Sequence, residues 1–214
     1  MTYQIIGSEF KSLEVTLSPG EIFYGERRSI VYVDANIHRE VEFNASNSSV
    51  GGMLGGLVKS ALSGESLLIL KFYNMSSTDG KIVLSGNCCS LFSIELQNEA
   101  VICRKGLYVA SNNKLQINLN LTFTGILGGL FQKIIGTTTV FLDSYCTPIT
   151  RELSQGEMVE VDENHVVALC GFQDYQIQKG RSLDNILQGE GLSMMKLYGP
   201  GKIYLSPLPI PKNN

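Results

Sequence analysis

Histidine, the side chain most often used as a metal ligand and general base, occurs only twice in this chain, at His38 and His165. His38 lies in NIHREVEF, where Glu40 and Glu42 follow it closely. A metal-dependent cupin enzyme needs two His residues one position apart, a following Glu and a distant third His, and the second His is missing here. We therefore expect His38 at a solvated strand edge and predict no bound metal or other cofactor. A cupin-like metal-dependent enzyme stays the second alternative.

No stretch of the sequence has the pattern of an activated nucleophile or of a phosphate-binding loop. Gly-x-Ser-x-Gly is absent, and Cys170 follows His165 along a predicted strand, where the spacing holds the two side chains far apart. The Gly-rich stretch GGMLGGLVKSALSG lacks the Gly-Lys-Ser/Thr ending of a P-loop. Glu21 and Glu157 occupy matching places and could act as an acid–base pair, but two equivalent turns are the favoured interpretation. We predict no catalytic residue and no enzymatic activity.

The cysteines indicate neither a disulfide framework nor a zinc site. Their number is odd, no signal peptide precedes them, and none has the spacing of a CxxC pair. We expect them to be small buried hydrophobic residues: Cys88, Cys89, Cys103, Cys146 and Cys170.

Size and composition are those of one globular domain. The chain has 214 residues, of which 43% are hydrophobic and 17% charged, and its formal net charge is −3. Because Lys and Arg are scattered, the clustered basic surface that nucleic-acid binding requires is not predicted, and we expect no nucleic-acid partner. The N-terminal stretch MTYQIIGSEFKSLEV has neither region of a signal peptide, and no window reaches the ~18 apolar residues of a membrane span. We therefore expect a cytoplasmic protein.

Alternation of apolar and polar residues is the dominant pattern, and it predicts antiparallel β-strands. The clearest case is KLQINLNLTF (114–123); SLEVTL (12–17) and VEFNA (41–45) alternate in the same way. Further strands are predicted at EIFYG, SIVYVD, SLLILKFY, KIVLS, AVICRKGLYVA, TTVFLDSY, MVEVD, HVVALC, YQIQ and KIYLSPL. Turn residues separate them at short intervals, which is typical of a β-sandwich or β-barrel. Helix is confined to short turns at GLVKSAL, GLFQKII and SLDNIL.

One phrase recurs three times: a Gly-Leu pair, a few mixed residues, a second Gly and an apolar strand. It is written GGLVKSALSGESLLILKF, GGLFQKIIGTTTVFLDSY and EGLSMMKLYGPGKIYLSPL, and three similar leading segments precede it: LSPGEIF, LQNEAVI and LSQGEMV. Each phrase follows its leading segment in the same order. This predicts three internal repeats in a single domain (1–214), at about 1–75, 76–147 and 148–214. Because one unit cannot bury its apolar face alone, we expect the three to share one interior around a pseudo-threefold axis.

The recurring glycines are predicted to be structural turns, where chains approach closely or φ is positive. They are Gly20, Gly56, Gly64, Gly129, Gly136, Gly156, Gly191 and Gly199. The loops around the Gly-Leu pairs are strongly apolar, and they could contact another subunit, enter a membrane surface, or cap the protein's own core. The candidate contact residues are Met53, Leu54, Leu57, Ile126, Leu127, Leu130 and Phe131.

Four motifs in order resemble the altered inheritance of mitochondria protein 24 family, in its uncharacterised bacterial and archaeal branch. They are Tyr-x-Ile-x-Gly at 3–7, Leu-Ser-Pro-Gly-Glu at 17–21, Gly-Gly…Gly-Glu-Ser within 55–66, and GEGL…GPGKIYLSPLP within 189–209. The likeness covers nearly the whole chain. The middle phrase GTTTVFLDSY and the charged Glu26-Arg27-Arg28 depart from the family pattern, which concerns loop details.

The resemblance implies a shortened double-stranded β-helix similar to the tryptophan RNA-binding attenuation protein, with internal repeats and assembly into symmetric rings, trimers being favoured. It supplies no catalytic residues, and the RNA and tryptophan functions of that fold relative do not transfer with the fold. We predict a non-catalytic homo-oligomeric scaffold or binding protein. Because mitochondrial relatives are associated with inner-membrane organisation, the alternative is a peripheral membrane protein that contacts lipid through its Gly-Leu loops.

Overall fold

The computed structural model describes residues 1–42, 69–118, 131–179 and 194–211, and these residues form an all-β protein with open sheets. The strands in this part of the chain are β1 Thr2–Ile6, β2 Ser12–Leu17, β3 Ile22–Glu26, β4 Ile30–Val33, β5 Ile37–Glu42, β6 Ile69–Asn74, β7 Gly80–Ser85, β8 Ser90–Arg104, β9 Tyr108–Ser111, β10 Gln116–Asn118, β11 Phe131–Ser144, β12 Ile149–Leu153, β13 Met158–Asp162, β14 Val166–Cys170, β15 Ile177–Lys179, β16 Met194–Tyr198 and β17 Gly201–Leu205. Three short 3-10 turns cover Arg27–Ser29, Glu163–His165 and Asp174–Gln176. The predicted fold class, all-β with very little helix, is confirmed.

The strands form three antiparallel sheets. The first has the order β1-β2-β7-β4, and the third has the order β13-β16-β15. The large middle sheet has the order β12-β17-β14-β8-β11-β9-β3-β6-β5, and β10 pairs with β11 beside that path. The long strands β8 and β11 pair along almost their whole length, and this strand pair links the N-terminal and C-terminal parts of the molecule.

The strands that precede β8 in the chain and those that follow β11 are paired in the same order. β7 lies between β2 and β4, as β17 lies between β12 and β14. β6 lies between β3 and β5, as β16 lies between β13 and β15. In the middle of the chain β11 pairs with β8, β9 and β10. The long strands β8 and β11 therefore each occupy positions that two separate strands occupy in the other parts of the chain.

Strand prediction succeeds where alternation is regular. SLEVTL is strand β2, and its Leu13, Val15 and Leu17 are fully buried. Leu115 and Ile117 are buried as the pattern predicts, and the pattern's residues from 119 onward lie outside the described ranges. Val41 lies in strand β5 but its side chain is 49% exposed, because β5 is an edge strand among the described residues.

Two local predictions are wrong. In GLFQKII, residues 131–135 begin strand β11 and are not helical, because they pair with Ala100–Arg104 of β8 and lie in the large sheet. AVICRKGLYVA is not one strand either. The turn at Lys105 and Gly106, where Gly106 has φ +83°, separates the end of β8 from β9. The possible helices GLVKSAL and SLDNIL lie outside the described residues.

The described residues bury three hydrophobic clusters, so the prediction of one shared interior is wrong for this part of the chain. The N-terminal cluster contains Phe23, Phe72 and Phe141, together with Leu and Val side chains of β2 and β7. A second cluster lies around β8 and β11, and a third around β13 to β17. The first and third clusters each lie between two facing sheets: the first sheet and one end of the middle sheet, or the third sheet and the other end of the middle sheet. The strand residues of the second cluster all belong to the middle sheet.

The turns in the first and third leading segments bring together a left-handed residue and a carboxylate. Gly20 has φ +81° and Gly156 has φ +87°. In each turn the Glu side chain accepts a hydrogen bond from a Ser backbone N–H: Glu21 from Ser18 at 2.8 Å, and Glu157 from Ser154 at 2.6 Å. The two carboxylates serve matching turns and do not form a pair.

The other predicted turn glycines divide into three groups. Gly136 is within strand β11 at a register shift, so the prediction of a turn is wrong there; the chain continues through a bulge because β8 pairs on both sides of it. Gly199 lies between β16 and β17, and a Cβ there would come within 2.2 Å of the Ser154 carbonyl oxygen. Gly56, Gly64, Gly129 and Gly191 lie outside the described residues.

Substitution of Gly156 tests the turn. Asn98, the only non-Gly residue of the described ranges with positive φ, has φ +61° in the middle leading segment, and Asn tolerates this region better than β-branched residues. We expect Gly156→Val to lower the free energy of unfolding by about 1–2 kcal/mol and Gly156→Asn to lower it by less, measured by urea denaturation. The control is Gln155→Val at the exposed neighbouring position. Equal losses for the Val and Asn variants would contradict this account.

Candidate functional site

His38 belongs to an exposed polar cluster on strands β5 and β6. Its ring stacks on Tyr73 with 5.5 Å between centroids. The Tyr73 hydroxyl donates to Glu40 at 2.9 Å, and the Lys71 ammonium lies 5.3 Å from the Tyr73 ring centroid. Among the described residues no group of three or more His, Cys, Asp or Glu side chains is arranged to hold a metal ion. The geometry agrees with a solvated strand edge.

His165 and Cys170 are not brought together. His165 lies in the 3-10 turn before β14, and its Nδ1 contacts the Ser206 carbonyl oxygen at 2.8 Å. Cys170 ends β14, and burial raises the pKa of its thiol to about 12. A thiol with so high a pKa is protonated at neutral pH, and the thiolate is the nucleophilic form.

The same holds for two further cysteines. Burial raises the pKa of Cys103 to about 12. Burial, followed by the nearby Asp143 carboxylate, raises the pKa of Cys88 to about 12. Cys88, Cys103 and Cys170 are buried, as the sequence predicts, whereas Cys89 and Cys146 are partly exposed.

Asp143 is a buried carboxylate with a structural environment. It accepts backbone hydrogen bonds from Cys88 at 2.9 Å and from Ser144 at 3.0 Å. Burial raises the pKa of Asp143, although these donors act in the opposite direction. A Cβ on Gly86 would come within 2.0 Å of the carboxyl group. The carboxylate therefore holds the 86–88 segment against the end of β11.

Arg104 is a buried cation at the end of β8. Its Nη2 donates to the Glu163 carbonyl oxygen at 2.8 Å, and its guanidinium lies 5.3 Å from the Phe131 ring centroid. Burial lowers the pKa of Arg104, yet arginine stays charged in proteins. The contact attaches the end of β8 to the 3-10 turn that precedes β14.

The thiol environments predict selective labelling. Native protein treated with iodoacetamide at pH 8 is expected to react at Cys89 and Cys146 and to leave Cys88, Cys103 and Cys170 unmodified, because those three thiols are buried and protonated. Mass spectrometry of tryptic peptides reads out the sites. In urea all five should react, which controls for peptide detection. Rapid native labelling of Cys170 would revive a nucleophilic role.

The apolar loop residues predicted as a contact surface are almost all outside the described part of the chain: Met53, Leu54, Leu57, Ile126, Leu127 and Leu130. Phe131 is described, and for this residue the prediction of a contact loop is wrong. It begins strand β11, is fully buried in this chain, and packs in the C-terminal cluster beneath Arg104. In the described ranges no helix is long and apolar enough to cross a bilayer.

Several exposed apolar residues of the described ranges lie at open strand edges, and we take these edges as the candidate functional site. Others, such as Phe10, Met75 and Tyr175, lie in loops and turns. β5 and β12 are edges that carry several charged residues, a common way to prevent unwanted pairing. β4 reads IVYV without a charge, and its Val31 and Tyr32 are 59% and 43% exposed. Met158 at the start of edge strand β13 is 45% exposed. The run IVYV (30–33), which carries no charge and does not alternate, is the sequence signal that could have indicated this surface.

β1 is also an uncharged edge, with Tyr3 42% and Ile5 40% exposed. Tyr3 nevertheless packs edge-on against Phe141 with 4.9 Å between ring centroids. β1 lies outside the pattern that β2–β7 and β12–β17 share, because no strand takes the corresponding place beside β12 in the described ranges. The edges of β4 and β13 belong to that pattern.

Comparison with known proteins agrees with the fold. The chain is 28% identical over 208 residues to an uncharacterized protein of Streptococcus pyogenes serotype M6, a match that covers 94% of this chain and 82% of that protein. The crystal structure of a Streptococcus pyogenes protein has a TM-score of 0.70 to this structure at 23% identity, and covers 97% of this chain and 94% of its own. At that identity the likeness concerns the fold alone.

The sequence model of the family described as Mitochondrial biogenesis AIM24 matches residues 3–208. This range contains all the described strands except the first residue of β1. The resemblance inferred from the four motifs is confirmed. The chain therefore belongs to the Mitochondrial biogenesis AIM24 family.

Proposed function

We propose that this protein is a non-catalytic subunit of a homo-oligomer that acts as a scaffold or binding protein in the cytoplasm. The observation that carries the proposal is the pair of open strand edges, β4 and β13, which present exposed apolar residues. Val31 and Tyr32 are exposed on β4, which has no charged residue, and Met158 is exposed on β13, which also carries Glu160 and Asp162. Unpaired edges of this kind are sites where another chain adds a strand.

The environments of the reactive side chains support a role without catalysis. The buried thiols have raised pKa values, Glu21 and Glu157 accept backbone hydrogen bonds in their turns, and His165 contacts a backbone carbonyl. Catalysis requires acids, bases or nucleophiles held within reach of one another. These thiols, carboxylates and the imidazole serve turns and cores instead.

The proposal includes three internal repeats. Their support is the pairing order that β2–β7 and β12–β17 share. A ring of three copies is the assembly that the family resemblance favours, and closed symmetric assemblies are the usual form of soluble homo-oligomers.

The mass of the native protein in solution tests the proposal. Light scattering after size-exclusion chromatography is expected to give a mass about three times the chain mass of 23.5 kDa, and the value should persist on dilution. Measurement in high salt is the control, because an interface made of backbone pairing and apolar contacts is less sensitive to salt than one made of surface ion pairs. A monomer at all concentrations would refute the homo-oligomer.

Vesicle flotation addresses the membrane alternative. With liposomes of phosphatidylcholine and phosphatidylserine we expect the protein to stay in the dense fraction, because Phe131 is part of the core and the net charge of −3 opposes binding to an anionic surface. A matched variant, Leu57→Asp with Leu130→Asp, should behave in the same way. Flotation of the native protein that this variant loses would favour a peripheral membrane protein over the scaffold.

A further inference from the structure

Two joints connect successive parts of the middle sheet, and they use equivalent strands. At the first joint β3 pairs with β9, and at the second the end of β8 pairs with β14. The Cα partners at the first joint are Tyr24 with Ser111 and Gly25 with Ala110. The Cα partners at the second joint are Ile102 with Leu169 and Cys103 with Ala168.

We call β9 and β14, with their counterpart β4, the receiving strands, and β3 and β8, with their counterpart β13, the donating strands. The receiving strands share an irregularity that fixes their alignment. In β4, β9 and β14 one valine is skipped in the ladder to the neighbouring β7, β11 or β17. The skipped residues are Val31, Val109 and Val167. At both joints the residue directly after the skipped valine, Ala110 or Ala168, faces the other strand at a defined position.

The strands on the donating side align at their ends. β3 ends at Glu26, β8 at Arg104 and β13 at Asp162, and a turn follows each of them. Gly25 and Cys103, the residues just before these ends, are the ones that face Ala110 and Ala168. Both joints therefore have the same register, counted from the valine on one strand and from the strand end on the other.

One receiving strand, β4, and one donating strand, β13, take part in no joint in the described residues. In the described part of the chain β4 pairs only with β7, and β13 pairs only with β16. The register of the joints places Val161, just before Asp162, opposite Tyr32, just after Val31. It places Glu160 opposite Val33.

We propose that β13 of one copy of this chain pairs antiparallel with β4 of a second copy, with Val161 facing Tyr32 and Glu160 facing Val33. The partner is a second copy because each chain carries both halves of a joint that it already makes twice internally, and the two halves do not pair with each other in the described structure. The inference rests on the proposed homo-oligomer and specifies its interface.

The exposure of matching residues agrees with a missing neighbour. Val109 and Val167 are 1% and 0% exposed where joints are made, whereas Val31 is 59% exposed. Tyr32 is 43% exposed, whereas Ala110 and Ala168 are fully buried. Such an interface is head-to-tail, so each copy donates β13 to one neighbour and receives β13 from another. It closes into a ring if the rotation between copies allows closure.

Disulfide trapping between two variants tests the register. Glu160→Cys and Val33→Cys are made separately in a Cys89→Ser, Cys146→Ser background, which removes the partly exposed thiols, and are then mixed under mild oxidation. Facing Cα atoms of antiparallel strands lie about 4.5–5.5 Å apart, within disulfide reach. We expect a covalent dimer with a 33–160 linkage, identified by mass spectrometry. Mixing Glu160→Cys with Arg39→Cys, on the charged edge β5, is the matched control and should give none.

A pair of charge variants gives a second measurement that does not depend on oxidation. Tyr32→Lys places a charge on the proposed interface, and Val41→Lys places one at a similarly exposed site on edge strand β5. Circular dichroism checks that both variants fold. We expect Tyr32→Lys to weaken self-association by about tenfold or more, equivalent to ~1.4 kcal/mol, and Val41→Lys to leave it unchanged.

The outcomes separate this inference from the proposed function. An oligomer of unchanged mass that neither forms the 33–160 linkage nor responds to Tyr32→Lys overturns the β4–β13 interface and leaves the scaffold proposal standing. A native protein that is monomeric by light scattering overturns both. A 33–160 linkage that forms only inside a chain carrying both cysteines, and never between mixed single variants, shows that the edges meet within one chain and also overturns the interface.

Discussion

Backbone N–H and C=O groups at a strand edge need partners, and this requirement organises the whole molecule. β3 and β9 satisfy it for each other, and so do the end of β8 and β14. The two joints have one register, which means that a single geometric solution is applied twice along the chain. The same requirement makes β4 and β13 notable. Their counterparts in the repeated pairing order form the two joints, whereas β4 and β13 each have a partner on one side only in the described residues.

The paired strands β8 and β11 are where this organisation departs from regularity. Before and after them, a Gly with positive φ turns the chain between two separate strands, at Gly20 and Gly156. In the middle, Asn98 has the positive φ, and its neighbours continue pairing on both sides of the register shift at Gly136. A bulge therefore stands where the other two parts of the chain have a turn. The two long strands continue through it, and the middle sheet extends from the N-terminal part to the C-terminal part.

The buried polar side chains also have a structural role. Asp143 holds the 86–88 segment by accepting backbone hydrogen bonds, and Arg104 attaches the end of β8 to the 3-10 turn of Glu163. Burial raises the pKa of thiols such as Cys103, which is typical of inert core cysteines and not of nucleophiles. The candidate surface is made of strand edges, whose function depends on what they pair with.

The amino-acid sequence by itself determined the fold class, the position of strands such as β2, and the turns at Gly20 and Gly156, because alternation and turn chemistry act over a few neighbouring residues. It failed at Phe131, at Gly136 and at the expectation of one interior. Whether 131–135 form a helix or a strand depends on β8, which is distant in the chain, and the three separate clusters depend on which sheets face each other. Only the tertiary structure decided which edges are filled and which stay open, because strand pairing joins residues far apart in sequence and leaves no local pattern.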